Sequence, residues 1–160
     1  MITLQPLTTD VALAAAEWRN RSIESCRTPE GSTVETQTNW YEHLDPKRHR
    51  YWSVYEGSTA VGLAGLTNIS WENRSAEISI VLDPARRGKG MGKEAIEALM
   101  DHGFNRMNLD VIYGECYHCS PALPFWKKVM ASATWVTLPD RKYWNGKYWN
   151  ADYFSVRRTK

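Results

Sequence analysis

Only three cysteines and three phenylalanines occur among the 160 residues. No apolar run approaches the ~18 residues that a membrane span requires. Three thiols cannot all pair, and the opening Met1-Ile2-Thr3-Leu4-Gln5-Pro6 lacks the positive stretch and apolar run of a secretory leader. Reduced thiols, no membrane partner and a cytoplasmic location are therefore expected. Neither sign of charge dominates, since 20 Lys plus Arg stand against 18 Asp plus Glu for a net +2. No overall field then selects nucleic acid or an anionic surface, and any basic patch must be local. Metal ligands are also short. Cys116-Tyr117-His118-Cys119 has the spacing of half a zinc site, but no second C-x-x-C or H-x-x-x-H completes four ligands, so no metal is expected. The Asn-x-Ser triplets at Asn20, Asn68 and Asn73 carry meaning only in a secreted chain.

What is plentiful is Trp and Tyr, eight of each. Core packing uses most such rings, but amphipathic aromatics also suit half-exposed walls and interfaces, pointing to an aromatic-lined cleft, a homodimer face, or both. The length suits one domain over residues 1–160, able to bury about 70% of its unfolded surface.

Periodicity and turn chemistry predict a strand over Ile2–Leu7 and a helix through Val11–Trp18 behind the cap residues Thr8, Thr9 and Asp10. A loop over Thr28–Val34 and a second helix near Glu35–Leu44 follow. Tyr51–Tyr55 and Ala60–Leu66 form a hairpin about Glu56-Gly57-Ser58, and Ala76–Leu82 is a further strand. Ala95, Ile96, Leu99 and Phe104 line a helix, Leu109–Cys116 is a strand, and Pro121–Met130 is a short helix. A long hairpin over Thr134–Trp144 and Lys147–Val156 turns at Asn145-Gly146. Lys-Tyr-Trp-Asn occurs on both arms of that hairpin, a local echo rather than a repeat. The order is βααβββαβαββ, an α/β chain with a mixed sheet.

The most informative stretch joins the strand ending Leu82-Asp83-Pro84 to the helix that follows. Arg87-Gly88-Lys89-Gly90-Met91-Gly92 is a glycine-rich basic loop that enters a helix directly, an anion site in outline because helix N-termini present unpaired N–H groups. It is not a P-loop, since Arg87 takes the first glycine slot and Glu94 the Ser/Thr slot. It is not a dinucleotide fingerprint either, since Gly88, Gly90 and Gly92 are spaced G-x-G-x-G.

The pattern R-x-x-G-x-G after such a strand resembles the acetyl-CoA loop of the GNAT superfamily of N-acetyltransferases. The βααβββαβαββ order is also the order of that fold, so the resemblance extends over essentially the whole chain. Trp18-Arg19-Asn20 and Trp40-Tyr41-Glu42 are similar to the branch holding ribosomal-protein alanine and aminosugar N-acetyltransferases. The resemblance implies a GNAT fold with splayed central strands and acetyl-CoA as co-substrate. It implies that the backbone of Arg87, Gly88, Lys89, Gly90, Met91 and Gly92 holds the pyrophosphate, with Lys93 adding charge. The preceding strand, Ile80, Val81 and Leu82, would pair with the pantetheine arm, and the Val81 N–H would face the oxyanion.

An amine attacking a thioester must shed a proton. Glu115 ends a stripe of Leu109, Val111 and Tyr113 on one strand face, where burial would favour a general base. Glu77 on the neighbouring strand is the second candidate, and ordered water a third. The family pattern N-x-x-A-x-x-x-Y is not met. Its Asn slot falls on Cys119 or Ser120 according to the register, and its Tyr slot on Trp126, whose indole cannot deliver a proton at useful pH. Trp126 would then pack on the thioester arm or in the core. The acceptor would be lined by residues 26–34, by Trp40 and Tyr41, and by Tyr143, Trp144, Tyr148 and Trp149. It is expected to be a primary amine on a small molecule, an aminosugar or a protein N-terminus. Two further readings are a degenerate CoA-binding or interaction module, and acetylation of a nucleic-acid-linked amine with Lys47-Arg48-His49-Arg50 touching phosphate.

Overall fold

A computed structural model describes residues 1–159. Its elements are β1 (Ile2–Pro6), α1 (Thr9–Asn20), α2 (Val34–Glu42), β2 (Arg50–Glu56), β3 (Thr59–Ser70), β4 (Ser75–Leu82), α3 (Met91–Asn105), β5 (Val111–Tyr117), α4 (Leu123–Val129), β6 (Thr134–Trp144) and β7 (Lys147–Arg157). Short 3₁₀ turns at Ile23–Ser25 and Pro84–Arg86 were not expected from the sequence. The expected order βααβββαβαββ is the one found. The seven strands form one sheet in the order β1-β2-β3-β4-β5-β7-β6.

Local chemistry fixes the helix starts. Thr8 caps α1 by accepting the Val11 N–H, and Thr33 and Thr36 close a reciprocal capping box on α2. α3 packs on one face of the sheet over a core whose fully buried side chains include Leu66, Ile96, Leu99, Leu109, Ile112 and Phe154. On the opposite face Val11 and Ala15 of α1 meet Leu63, the alanines letting the helix lie close.

Among the described residues β4 and β5 are the only parallel neighbours, because α3 carries the chain back between them. They pair only over Ser75–Glu77 against Val111–Tyr113, whereas β4 continues to Leu82 and β5 to Tyr117. The sheet therefore opens into a wedge at the carboxyl ends of both strands, beside the start of α3. This is the expected splay.

Two boundaries differ from expectation. β3 runs past Leu66 to Ser70 through a bulge in which Asn68 adopts φ 48°. β5 begins at Val111 because Leu109 is drawn fully into the core, its N–H donating to Gly103 O at 3.0 Å. The apolar stripe leading to Glu115 thus starts one strand position later than Leu109 implied.

Candidate active site

The glycine loop divides its labour between conformation and space. Gly88 and Gly90 hold φ of +84° and +81°, and a Cβ built on either would touch nothing within 4 Å, so backbone shape alone requires glycine there. Gly92 is different, because a Cβ there would come within 3.0 Å of Phe125 and 3.2 Å of Leu82. It lets α3 seat against β4 and α4. Among the described residues no N–H from Arg87 through Gly92 donates to another protein group, whereas those on either side, Arg86 and Lys93, are paired with Asp83 O and Gly90 O. A run of unpaired amides with two left-handed residues opening a helix is a concave anion-binding nest. The Arg87 guanidinium is drawn back to Ser22 Oγ at 2.9 Å, and Lys93 pairs with Glu97 at 3.7 Å on the exposed side of α3.

The register bears on the Val81 N–H, which was expected to face the oxyanion. Asp83 N–H donates to Val61 O at 2.9 Å, and Leu63 stands opposite Val81. Antiparallel pairs alternate, so Val81 exchanges its hydrogen bonds with β3 and is not available to the wedge. Ile80 and Leu82 turn their N–H and C=O groups toward β5, where no partner strand meets them. These are the β4 backbone groups open to the wedge.

Side chains alternate the other way. Ile78 and Ile80 face the α3 core, while Glu77 faces α1 and the loop after it. Glu77 and Tyr113 are the last paired residues of β4 and β5, and Glu115 lies two positions further along β5 on the same face. The structure brings both candidate bases to the wedge, Glu77 at its floor and Glu115 on its open wall, and each is already in an ion pair. Glu77 binds Arg27 and accepts from Asn68 Nδ2 at 2.8 Å, so the β3 bulge serves to aim that amide. Glu115 is held by Arg141 in a two-point fork, with Nε at 3.1 Å and Nη2 at 3.3 Å. Burial works against the Arg27 charge, yet Glu77 outweighs it and raises the guanidinium above its ordinary value; the hydrogen bonds and charge of Glu115 likewise raise Arg141.

Ser120 and Trp126, expected near the co-substrate, carry structural contacts. The buried Ser120 hydroxyl lies 2.6 Å from Ser25 Oγ and accepts the Ala122 N–H, tying α4 to the turn after α1. Trp126 rests on Phe154 and Phe125, with ring centroids 5.2 and 5.7 Å away. Cys119 donates to Glu24 O in the same seam, and Cys116 is buried with its thiol pushed up to about 11 by desolvation. Among the described residues no group of His, Cys, Asp and Glu is placed to hold a metal ion.

Several expected lining residues lie elsewhere. Tyr143 and Tyr148 are exposed and meet edge to face at the hairpin end. Trp40 meets Tyr51 edge to face, and a recess of about 500 Å³ lined by Tyr41, His49, Trp52 and His102 among others is not in the wedge. The rings that share a strand face with the glutamates are Tyr113, stacked on Tyr153 at 5.7 Å, and Tyr117. The basic turn is used internally, since Trp71 Nε1 donates to Lys47 O and Arg50 lies over the Trp71 ring.

Sequence reasoning placed Arg27 only as part of the 26–34 lining loop, and it missed Asn68, Arg141 and Lys142. Lys142 is buried, donates to the carbonyls of Glu24 and Cys26 at 2.6 Å each, and so ties the hairpin to the loop that carries Arg27. Its place next to a β6 irregularity, where Asp140 takes φ 50°, left no periodic signal. A buried carboxylate, Asp152, gathers Lys127 (2.7 Å), His118 (2.9 Å) and Thr137 (2.7 Å), which fixes α4 to β7.

Comparison with known proteins agrees with this architecture. Residues 2–119 match the acetyltransferase (GNAT) domain model. The chain is 31% identical over 97 residues to a spermidine N(1)-acetyltransferase of Vibrio cholerae, a match that covers 59% of this chain and 56% of the relative. Against the spermidine N(1)-acetyltransferase of Escherichia coli K12 it is 31% identical over 85 residues, covering 53% and 46%. The chain thus spans about half the length of the curated relatives it matches. A solved dodecameric spermidine N-acetyltransferase from Vibrio cholerae superposes with a TM-score of 0.81 at 22% identity, covering 98% of this chain and 93% of that one, a likeness of fold. These matches carry the family and not the narrower branch that Trp18-Arg19-Asn20 and Trp40-Tyr41-Glu42 resemble. With its splayed β4–β5 pair, its amide nest at Arg87–Gly92 and a family match over most of its length, the chain belongs to the GNAT acetyltransferase family.

Proposed function

We propose that the protein is an acetyl-CoA-dependent N-acetyltransferase that moves an acetyl group to a primary amine by direct attack within a ternary complex. The observation that carries this reading is the continuity of unpaired backbone. The free edge of β4 at Ile80 and Leu82 leads straight into the unpaired amides of Arg87–Gly92. An extended pantetheine arm pairs with the first and a pyrophosphate with the second. An N–H of Ile80 or Leu82 then stabilises the oxyanion that develops on the thioester carbon.

Glu115 is the proposed base, because it stands beyond the last paired residues and is held by one partner, whereas Glu77 is locked between Arg27 and Asn68. The amine nitrogen loses its proton to Glu115 directly or through one water, attacks the carbonyl carbon, and the collapse of the adduct expels the CoA thiolate. That thiolate, with a pKa of about 8.5 by analogy with cysteine, leaves without an obligatory acid, which suits a chain with Trp126 in the family's Tyr slot.

The sheet, continuous from Ile2 to Arg157, supports treating residues 1–160 as one acetyltransferase domain. The unpaired thiols fit a cytoplasmic protein. Among the described residues no helix is long and apolar enough to cross a membrane. Exposed Val136, Tyr143 and Tyr148 on the outer hairpin support a homodimer. A second reading, a CoA-binding module without turnover, is favoured by the half-buried Trp126 packing against the core at Phe154. Thiol release from acetyl-CoA against a panel of amine classes, beside calorimetric titration of CoA, separates the two. Turnover of any amine establishes the enzyme, and binding without turnover establishes the module.

A further inference from the structure

We propose that the acceptor is a primary amine that carries its own carboxylate, and not a polyamine. This inference rests on the acetyltransferase reading. In the wedge the two carboxylates lie behind the two guanidiniums. The Glu77 and Glu115 side chains are each 11% exposed, whereas Arg27 and Arg141 are 56% and 50% exposed. Lys142 adds a third cation, held by the carbonyls of Glu24 and Cys26 and by the Tyr117 and Trp144 rings, with no carboxylate among these contacts. Three cations thus face two carboxylates, and the charged groups nearest solvent are cationic.

A polyamine bound for acetylation at one nitrogen brings further ammonium groups, each of which needs an anionic partner when it leaves water. Here both carboxylates are occupied, and the outer edge of the site would repel the extra charge. A carboxylate on the acceptor meets the opposite situation. Arg141 spends Nε and Nη2 on Glu115, and Arg27 spends one Nη on Glu77, so each guanidinium keeps N–H groups on its solvent side. Arginine binds a carboxylate through such planar N–H pairs. Arg27 and Arg141 come from the loop after α1 and from β6, and flank Tyr117, which follows Glu115 on the same strand face. They are placed to hold the anionic end of an acceptor while its amine reaches toward Glu115 and the wedge.

The test follows thiol release from acetyl-CoA with matched amines that differ by one carboxylate, an α-amino acid and its decarboxylated amine, with spermidine alongside. The carboxylated member is expected to have the higher kcat/KM by about 10–100-fold, the share of a charge-assisted hydrogen bond. Arg141→Gln should reduce that ratio to within a few-fold, mainly through KM. Because the ratio is taken within one enzyme, any effect of the change on Glu115 cancels. The double variant Arg27→Gln/Glu77→Gln, which avoids leaving a buried carboxylate alone, should reduce it as well, and calorimetry with CoA verifies that both variants are folded. A wild-type preference for spermidine or the decarboxylated amine, or a ratio that survives in both variants, overturns the acceptor inference and leaves the enzyme reading standing. Absence of turnover on every amine, with CoA bound, overturns both.

Discussion

Glu77 and Tyr113 face each other at the last paired position of β4 and β5, and beyond them the two strands separate. That one register position sets the depth of the wedge. It puts Glu77 at the floor, leaves Ile78–Leu82 without a partner on the β5 side, and brings Glu115 to the open wall. The anchor at the floor is a network rather than a single pair, since Arg27 reaches Glu77 from the loop after α1 and Asn68 reaches it from the β3 bulge. Opening the sheet costs strand hydrogen bonds, and the unpaired β4 backbone is the group that a bound extended arm would satisfy.

Gly90→Val is expected to weaken CoA binding at least tenfold in calorimetric titration. The substitution meets no steric neighbour, but it forces a β-branched residue to hold φ +81° at the start of α3, a conformation that disfavours such residues by about 1–2 kcal/mol. The loop would relieve that strain by turning its amides out of the nest. Gly92→Ala should act otherwise, lowering thermal stability through its contact with Phe125 and Leu82. Unchanged CoA affinity in Gly90→Val would remove the nest from the binding site.

Cys116 should resist alkylation in the folded protein near pH 8, with Cys26 and Cys119 reacting first. Burial pushes its thiol up to about 11, so little thiolate exists at that pH, and the other two are partly exposed. Mass spectrometry of partially labelled protein reads the order. An acetyl-thioester trapped on Cys116 during turnover would replace direct attack with a covalent relay.

Asp152→Asn should lower stability at neutral pH by about 1–3 kcal/mol, because three donors then face an amide in place of a carboxylate. Burial alone would raise the Asp152 carboxyl, yet the hydrogen bonds from Lys127, His118 and Thr137 prevail and hold it well below the usual carboxylate range. For a depressed carboxyl the sign is fixed. The stabilisation is fully present above the unfolded value near pH 4, and it declines as the pH falls toward the folded value. The gap in Tm between wild type and Asp152→Asn should hold from pH 7 to about 5 and narrow only in stronger acid. A gap that is constant down to pH 2 would remove the ionised carboxylate from the explanation.

The order of elements and the glycine loop were legible because they rest on local rules: periodicity, caps, and glycines at Gly88 and Gly90 that no other residue type suits. The splay followed from the family resemblance. What stayed hidden depends on contacts between distant segments. Arg27 gains its meaning from Glu77 fifty positions away, and Lys142 from carbonyls near Cys26. The free backbone N–H groups of β4 lie one residue to either side of Val81, because their direction is set by pairing with β3, and the Asp83–Val61 bond reveals its phase. Tyr143 and Tyr148 look like cleft residues by type but sit at the end of a hairpin that extends into solvent.

Exchange of each glutamate for glutamine should separate chemistry from architecture. Glu115→Gln is expected to bind CoA nearly as wild type and to turn over about 10²–10⁴ more slowly near neutral pH, the usual share of general acid–base catalysis. Its deficit should shrink as the pH rises from 6 to 9, because more of the amine arrives already deprotonated and less is asked of the base. Glu77→Gln removes the carboxylate that neutralises Arg27 and accepts from Asn68, at a position 9% exposed, so it should lower Tm and loosen the floor of the wedge. Its rate deficit should be smaller and flat with pH. Thermal melts, CoA titration and pH–rate profiles on both variants give the answer together. A Glu115→Gln enzyme with a wild-type rate across that range, beside a Glu77→Gln enzyme with a steep pH-dependent deficit, would move the base to β4.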